Sequence, residues 1–226
     1  MEPSYRPEDF VVGGSNAAAW SVIQAWPDWP HRVALIVGAE GTGKSHLASI
    51  WSAHSGARIV AARDLGGIDP VSLVHMGPVC VEDCDRGPVD EPTLFHLLNA
   101  VQAAGSSLLL TARVPPSEWG IATRDLDSRL RAIPPTNIGV PEDALLERVL
   151  AKLFTDRQLD VDPNVTRYLV RRMERSLRAA VHLVDLMDRE ALARRRPVTR
   201  RMAGEILERE GLGDGADELD DLPDPE

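Results

Sequence analysis

Up to about residue 140, short apolar runs alternate with segments of helical spacing. The runs are 33–37, 58–60, 79–83, 107–111 and 136–140, each of strand length. Between them, Leu47, Ala48, Ile50 and Trp51 share one helical face, and Leu94, Leu97, Leu98 and Val101 share another. Segment 17–25 predicts a first helix with Ser15 or Asn16 as its N-cap, and 126–133 a short arginine-bearing one. Apolar strands separated by helices predict a parallel sheet covered on both faces. The tryptophans of 26–30 are expected to cover the edge of that core. Stretch 61–78 is interrupted by proline and glycine, and no element is assigned to it.

The pattern changes after Pro141. From 142 to 210 the spacing is helical throughout, with breaks near 160–163, 174–176 and 196–199. Three or four amphipathic helices in a small bundle are expected. The fold class is therefore α/β: a three-layer αβα domain on a five-stranded parallel sheet, plus a small α-helical domain. The expected division is a flexible arm over 1–9, the αβ domain over 10–140, the helical domain over 141–210 and an acidic, disordered tail over 211–226.

The first apolar run feeds Gly38-Ala39-Glu40-Gly41-Thr42-Gly43-Lys44-Ser45, which opens a helical pattern. Strand, glycine-rich loop and helix in this order make the context of a phosphate-binding P-loop. Glycines let backbone N–H groups turn inward to the phosphates, Lys44 reaches the terminal phosphates, and the Ser45 hydroxyl can ligate Mg²⁺. The helix adds its positive end. ATP or ADP with Mg²⁺ is the expected cofactor. The plain alternative is a chance glycine turn.

Charge alters the picture only once it is located. The chain of 226 residues has a formal net charge of −10, but residues 213–226 carry seven acids and no base, leaving −3 for the remainder. That near-balance gives no argument for wholesale nucleic-acid binding. No apolar run approaches a membrane span and no leader pattern opens the chain, so a soluble, cytoplasmic protein is expected. Cys80 and Cys84 have no nearby partner set for a metal and are read as reduced and structural.

A P-loop needs an acid at the end of a neighbouring strand to hold Mg²⁺ and orient the attacking water. The run 79–83 ends in Glu82 and Asp83, about thirty-five residues after Lys44, at a spacing that suits the motif. Its plain alternative is a solvated acidic turn, since Asp85 follows. Arg129 lies between the fourth and fifth runs, with Arg124 and Arg131 close by, and Arg178 starts the third helix of the bundle. Arginine stabilises charge on a transferring phosphoryl group and is often supplied to a neighbouring subunit.

Together these residues resemble the AAA+ ATPases, and among them the DnaA/Hda type, over about 10–210. Phe10-Val11-Val12-Gly13-Gly14-Ser15-Asn16 resembles the segment beside the adenine. Phe95-His96-Leu97-Leu98-Asn99-Ala100, followed by Leu108-Leu109-Leu110-Thr111-Ala112-Arg113-Val114-Pro115-Pro116, resembles the stretch that contains sensor 1. Ser128-Arg129-Leu130 resembles the box of the arginine finger, and Ser176-Leu177-Arg178 the lid box of sensor 2. The resemblance implies an AAA+ domain with a helical lid. It implies a nucleotide held by Gly38, Gly41, Thr42, Gly43, Lys44, Ser45, His46, Val11, Val12 and Arg178. Ser45, Glu82 and Asp83 would hold Mg²⁺, with Glu82, Asp83 and an Arg129 finger in trans as the catalytic set. It further implies negative regulation of replication initiation, with DnaA and the DNA-loaded sliding clamp as partners and no specific DNA-binding domain.

Three departures qualify the resemblance. Glu82 stands where the family usually has Asp, one methylene shorter. The sensor 1 position is Arg113, which cannot accept a hydrogen bond and so cannot orient water as an acceptor. The glutamine-and-leucine clamp motif is not found in 1–7. The binding half of the site is thus expected to be intact and the hydrolytic half altered. Two other readings stand beside this one. One is an autonomous ATPase in a self-assembled ring. The other is a DnaC-like loader whose lid arginines Arg194, Arg195, Arg196, Arg200 and Arg201 contact backbone; against it, no aromatic platform accompanies that cluster in the sequence.

Overall fold

The computed structural model describes residues 10–212. The expected arm over 1–9 and the acidic tail from 213 onward lie outside the described residues. The chain divides into two compact units, Met1–Glu142 and Asp143–Glu226.

The first unit is built on five parallel strands: β1 (Val33–Gly38), β2 (Arg58–Ala61), β3 (Val79–Glu82), β4 (Leu108–Ala112) and β5 (Pro135–Ile138). Their order is β2-β3-β4-β1-β5. Ala34 pairs with Leu109 and Gly38 with Ile138. β1 is buried along its whole length, which explains why its run is apolar without alternation. β5 pairs on one side only, and Pro135 sits at its first position, where a missing N–H does no harm.

Successive side chains of a strand point to opposite faces, and the core divides accordingly. Val33, Leu35, Val37, Val79, Val81, Leu108 and Leu110 pack with α3 (Pro70–His75), α4 (Glu91–Ala104) and α5 (Arg124–Arg131). Ala34, Ile36, Cys80, Leu109 and Ile138 pack instead with α1 (Ala17–Gln24) and α2 (Lys44–Ser55). Trp29 stacks on Trp51 at 5.0 Å within this second layer. Leu108, Leu109 and Leu110 are fully buried, and each such side chain contributes about 1.5–3 kcal/mol relative to exposure. Cys80 and Cys84 are free and buried, and burial pushes both thiols up from their ordinary values.

One local expectation is extended and another holds in position but not in bonding. Stretch 61–78 holds a helix, α3, which Asp69 caps by accepting from the Val71 and Ser72 amides; Pro70 suits the first turn, where no N–H is needed. Asn16 occupies the N-cap position of α1, but its side chain makes no cap bond. It instead donates to the Val11 carbonyl at 3.0 Å and accepts from the Gly13 amide at 2.8 Å, tying down the segment before the helix.

The second unit contains α6 (Asp143–Asp156), α7 (Pro163–Val170), α8 (Leu177–Arg194) and α9 (Arg200–Glu210). Leu146, Leu150, Phe154, Leu169, Leu183 and Ile206 meet in its core. Asp162, Ser176 and Thr199 cap α7, α8 and α9 with their side chains, so three helix starts coincide with the sequence breaks. Among the described residues, no helix is long and apolar enough to cross a membrane.

Candidate functional site

The loop Gly38–Ser45 joins the end of β1 to the start of α2. Gly43 is left-handed at φ 102°, a backbone state that turns the chain into the helix and that side chains rarely tolerate. Gly38 is required for a different reason. A Cβ there would stand 2.9 Å from Thr42 Oγ1 and 3.0 Å from the Ile138 carbonyl oxygen. Thr42 is buried and donates to the Ala39 carbonyl at 2.9 Å, which fixes the loop's curl.

Lys44 begins α2 with only 7% of its surface exposed. Its Nζ donates to the carbonyls of Gly38 at 2.7 Å and Ala39 at 2.9 Å. The ammonium thus sits inside the loop's curl. Burial lowers its pKa from the ordinary lysine value, while Asp83 and Asp85 pull the other way. Ser45, next along the helix, is exposed.

The acids stand beside this loop. Glu82 ends β3 and its Oε1 is fully buried without a hydrogen-bond partner among the described residues. An unmatched buried carboxylate oxygen is costly, and a cation or an ordered water would relieve it. Asp83 follows at φ 58°, its amide donating to Thr111 Oγ1 at 3.2 Å on β4. Arg86 spans the two acidic edges: it meets Glu40 of the loop at 2.9 Å and Asp83 at 3.6 Å. This donor set suits Mg²⁺, which takes one or two protein ligands and fills its octahedron from phosphate and water. Ser45, Glu82 and Asp83 are the residues that would hold it.

Arg113 lies just beyond β4 and is engaged. Asp85, whose side chain is 3% exposed, accepts from the Arg113 amide at 3.0 Å and from its Nε at 2.9 Å. The carboxylate raises the guanidinium's pKa. Asp85, Arg86 and Glu40 were not expected to take part here. The 28-residue separation of Asp85 from Arg113 leaves no sequence signal for their pairing.

On the base side, Phe10 stacks on Trp20 at 5.0 Å and meets His46 edge-on at 5.4 Å. Val11 and Val12 lie in the segment that Asn16 ties down. Glu142, the last residue of this unit, accepts from the Gly14 amide at 2.7 Å and the Ser15 amide at 3.2 Å. Arg129 is exposed on α5, where Asn99 accepts from its Nη1 and the Phe95 ring lies 4.8 Å beneath the guanidinium carbon. Arg178 is on the second unit, in the first turn of α8.

Comparison with known proteins follows the same lines. Residues 143–207 match the family model described as "Hda, lid domain". Domain III of the replication initiation protein DnaA from Thermotoga maritima is similar at 16% identity and a TM-score of 0.78, covering 92% of this chain and 98% of that one. AMPPCP-bound DnaA from Aquifex aeolicus is similar at 18% identity and a TM-score of 0.72, covering 93% of this chain and 70% of that one. A RuvB mutant of Thermotoga maritima is similar at 14% identity and a TM-score of 0.69, covering 91% and 72%. The fold is the α/β P-loop fold shared with the AAA+ domains of DnaA and RuvB, and the helical unit is similar to the Hda lid domain.

Proposed function

We propose that this protein is a nucleotide-binding regulator of replication initiation that promotes hydrolysis of ATP held by DnaA. The observation that carries the reading is the state of Arg129. An arginine used only for solvation has no need of a fixed seat, and here an amide and an aromatic ring orient an exposed guanidinium. Such a group is suited to entering a partner's site and stabilising charge on a transferring phosphoryl group.

ATP or ADP would occupy the protein's own loop, with Gly38, Gly41, Thr42, Gly43, Lys44 and Ser45 around the phosphates, and Val11, Val12 and His46 on the base side. Arg178 would close from the lid. Bound Mg²⁺ would supply charge neutralisation between the phosphates and the acids. Glu82 or Asp83 can still accept a proton or orient water. Arg113 cannot, and Asp85 is occupied in holding it. Own turnover is therefore expected to be slow, and nucleotide serves to set the shape that presents Arg129. The DNA-loaded sliding clamp would act as co-partner in the cytoplasm.

The test is hydrolysis by ATP-loaded DnaA, with and without this protein, clamp and DNA. Wild type should accelerate turnover; Arg129→Ala should abolish most of that, since arginine fingers contribute roughly 10³–10⁵-fold. Lys44→Ala should lose nucleotide and weaken the effect. Concentration-dependent turnover by the chain alone, with DnaA turnover unchanged by Arg129→Ala, would instead establish the self-assembled ATPase.

A further inference from the structure

One of the lid arginines, Arg200, shares an aromatic ring with a second arginine from a different element. Tyr168 of α7 lies under two guanidinium groups. Arg172 Cζ is 4.3 Å from the ring centroid and Arg200 Cζ 4.9 Å. Arg172 follows α7 and Arg200 opens α9, so two elements converge on one phenol ring. The ring also packs against the unit's core, and the Tyr168 hydroxyl lies 3.0 Å from where a Cβ at Gly204 would stand. A side chain there would need the hydroxyl to give by a few tenths of an ångström.

Charge around this stack is unbalanced. Arg194, Arg201 and Arg209 are each bound to Glu190, Glu205 or Glu210. Arg172 and Arg200 have no acidic partner among the described residues. Their centres lie within about 9 Å of each other, comparable to the Debye length at physiological salt, so they repel. The N-terminal end of α9, beside Arg200, adds positive potential. Segment 167–201 holds eleven arginines against four acids, and residues 143–212 hold fifteen bases against twelve acids. Residues 1–142 hold ten bases against sixteen acids, so the near-neutral body conceals a basic lid.

We infer that the Arg172–Tyr168–Arg200 stack is a docking site for the phosphodiester backbone of duplex DNA. An anion would relieve the repulsion between the two guanidiniums, and a polyanion matches the excess that extends along the segment. Duplex is favoured over single strand because the half-buried ring is already engaged by two guanidiniums and by the core, and a base would have to displace them to stack. Both arginines would meet backbone alone, so binding is without sequence preference.

The experiment is fluorescence anisotropy of a labelled duplex with the full chain across about 50–200 mM salt. Wild type should bind with a strong salt dependence. Arg172→Ala/Arg200→Ala should weaken binding at least tenfold and reduce the slope of log K against log salt by about 2, near one for each phosphate that an arginine no longer neutralises. Arg172→Lys/Arg200→Lys should keep most of the slope, and it reads the charge even if the alanine pair fails to fold, which a thermal melt reveals. Absence of duplex binding by wild type overturns the inference and points to an acidic protein partner. Tighter binding of single strand, competition by inorganic phosphate beyond its ionic strength, or an unchanged slope in the alanine pair overturns it too.

Discussion

Replacing Gly38 by alanine tests how tightly the loop is seated on the sheet. The added Cβ would lie 2.9 Å from Thr42 Oγ1, 3.0 Å from the Ile138 carbonyl oxygen and 3.1 Å from Ile138 Cβ. The Thr42 hydroxyl is a side-chain tip, but its bond to Ala39 holds it in place. The Ile138 oxygen belongs to the backbone of β5, which is paired to Gly38 itself. Relief therefore requires β1 and β5 to part, or the loop to lift. Overpacking of this kind costs about 1–3 kcal/mol. At about 2–4 °C per kcal/mol for a chain of this size, the melting temperature should fall by about 2–12 °C. Thr42→Ala in the same background removes one clash and leaves both clashes with Ile138, so it should rescue only part of the stability. Differential scanning fluorimetry measures the melting shift, and titration of a fluorescent ATP analogue measures the loop, where affinity should fall with stability. A Gly38→Ala protein that melts within about 1 °C of wild type and keeps full affinity would refute the reasoning.

Other perturbations follow from the same geometry. Glu142 has its carboxyl pKa lowered first by its own backbone amide, then by Ser15 and Gly14. A carboxylate depressed in the folded state stabilises above the ordinary value near about 4.3 and loses that effect as pH falls through the folded one. Glu142→Gln should therefore melt below wild type at neutral pH, and melting curves of the two should converge as the buffer is taken below about pH 4. Ser176→Ala removes the cap on the Ala179 amide at 3.1 Å and should cost α8 about 1 kcal/mol, measurable by denaturant titration. Phe154→Ala empties a core site only 2% exposed, and stability should fall by about 3–5 kcal/mol in the same titration. Arg86→Ala breaks half-exposed pairs to Glu40 and Asp83 and should cost under about 1 kcal/mol. Calorimetric titration should nonetheless show weaker nucleotide binding, because a positive charge beside the loop is lost while Glu40 and Asp83 remain.

The elements most legible in the sequence are those whose physics is local. β1, β3 and β4 are buried on both faces and so write themselves as unbroken apolar runs. The phosphate loop is legible because glycine is the only residue for its backbone turn and its close approach. α3 escaped because it is short and its proline reads as an interruption, although Asp69-Pro70 is a sound start signal once a helix is considered. α4 begins at Glu91, ahead of the apolar positions that mark it in the sequence, because Pro92 is tolerated in a first turn. The strand order is a property of non-local pairing and has no local trace. Arg113 could be placed by position in the chain, but what it touches could not. The same is true of Arg172 and Arg200, far apart in sequence and brought together on one ring.

The Asp85–Arg113 pair also constrains the order in which this site can change. An acceptor restored at position 113 alone, as in Arg113→Asp, would set a carboxylate against the nearly buried Asp85 and leave two like charges facing each other. Asp85→Asn alone would remove the guanidinium's main counter-charge and leave it only the smaller pull of Glu40 and Asp83. Each single change therefore unbalances the pair, and changing both positions together should cost less than the sum of the two. The pair thus behaves as one unit, and a change of chemistry at this edge of the site needs both residues replaced.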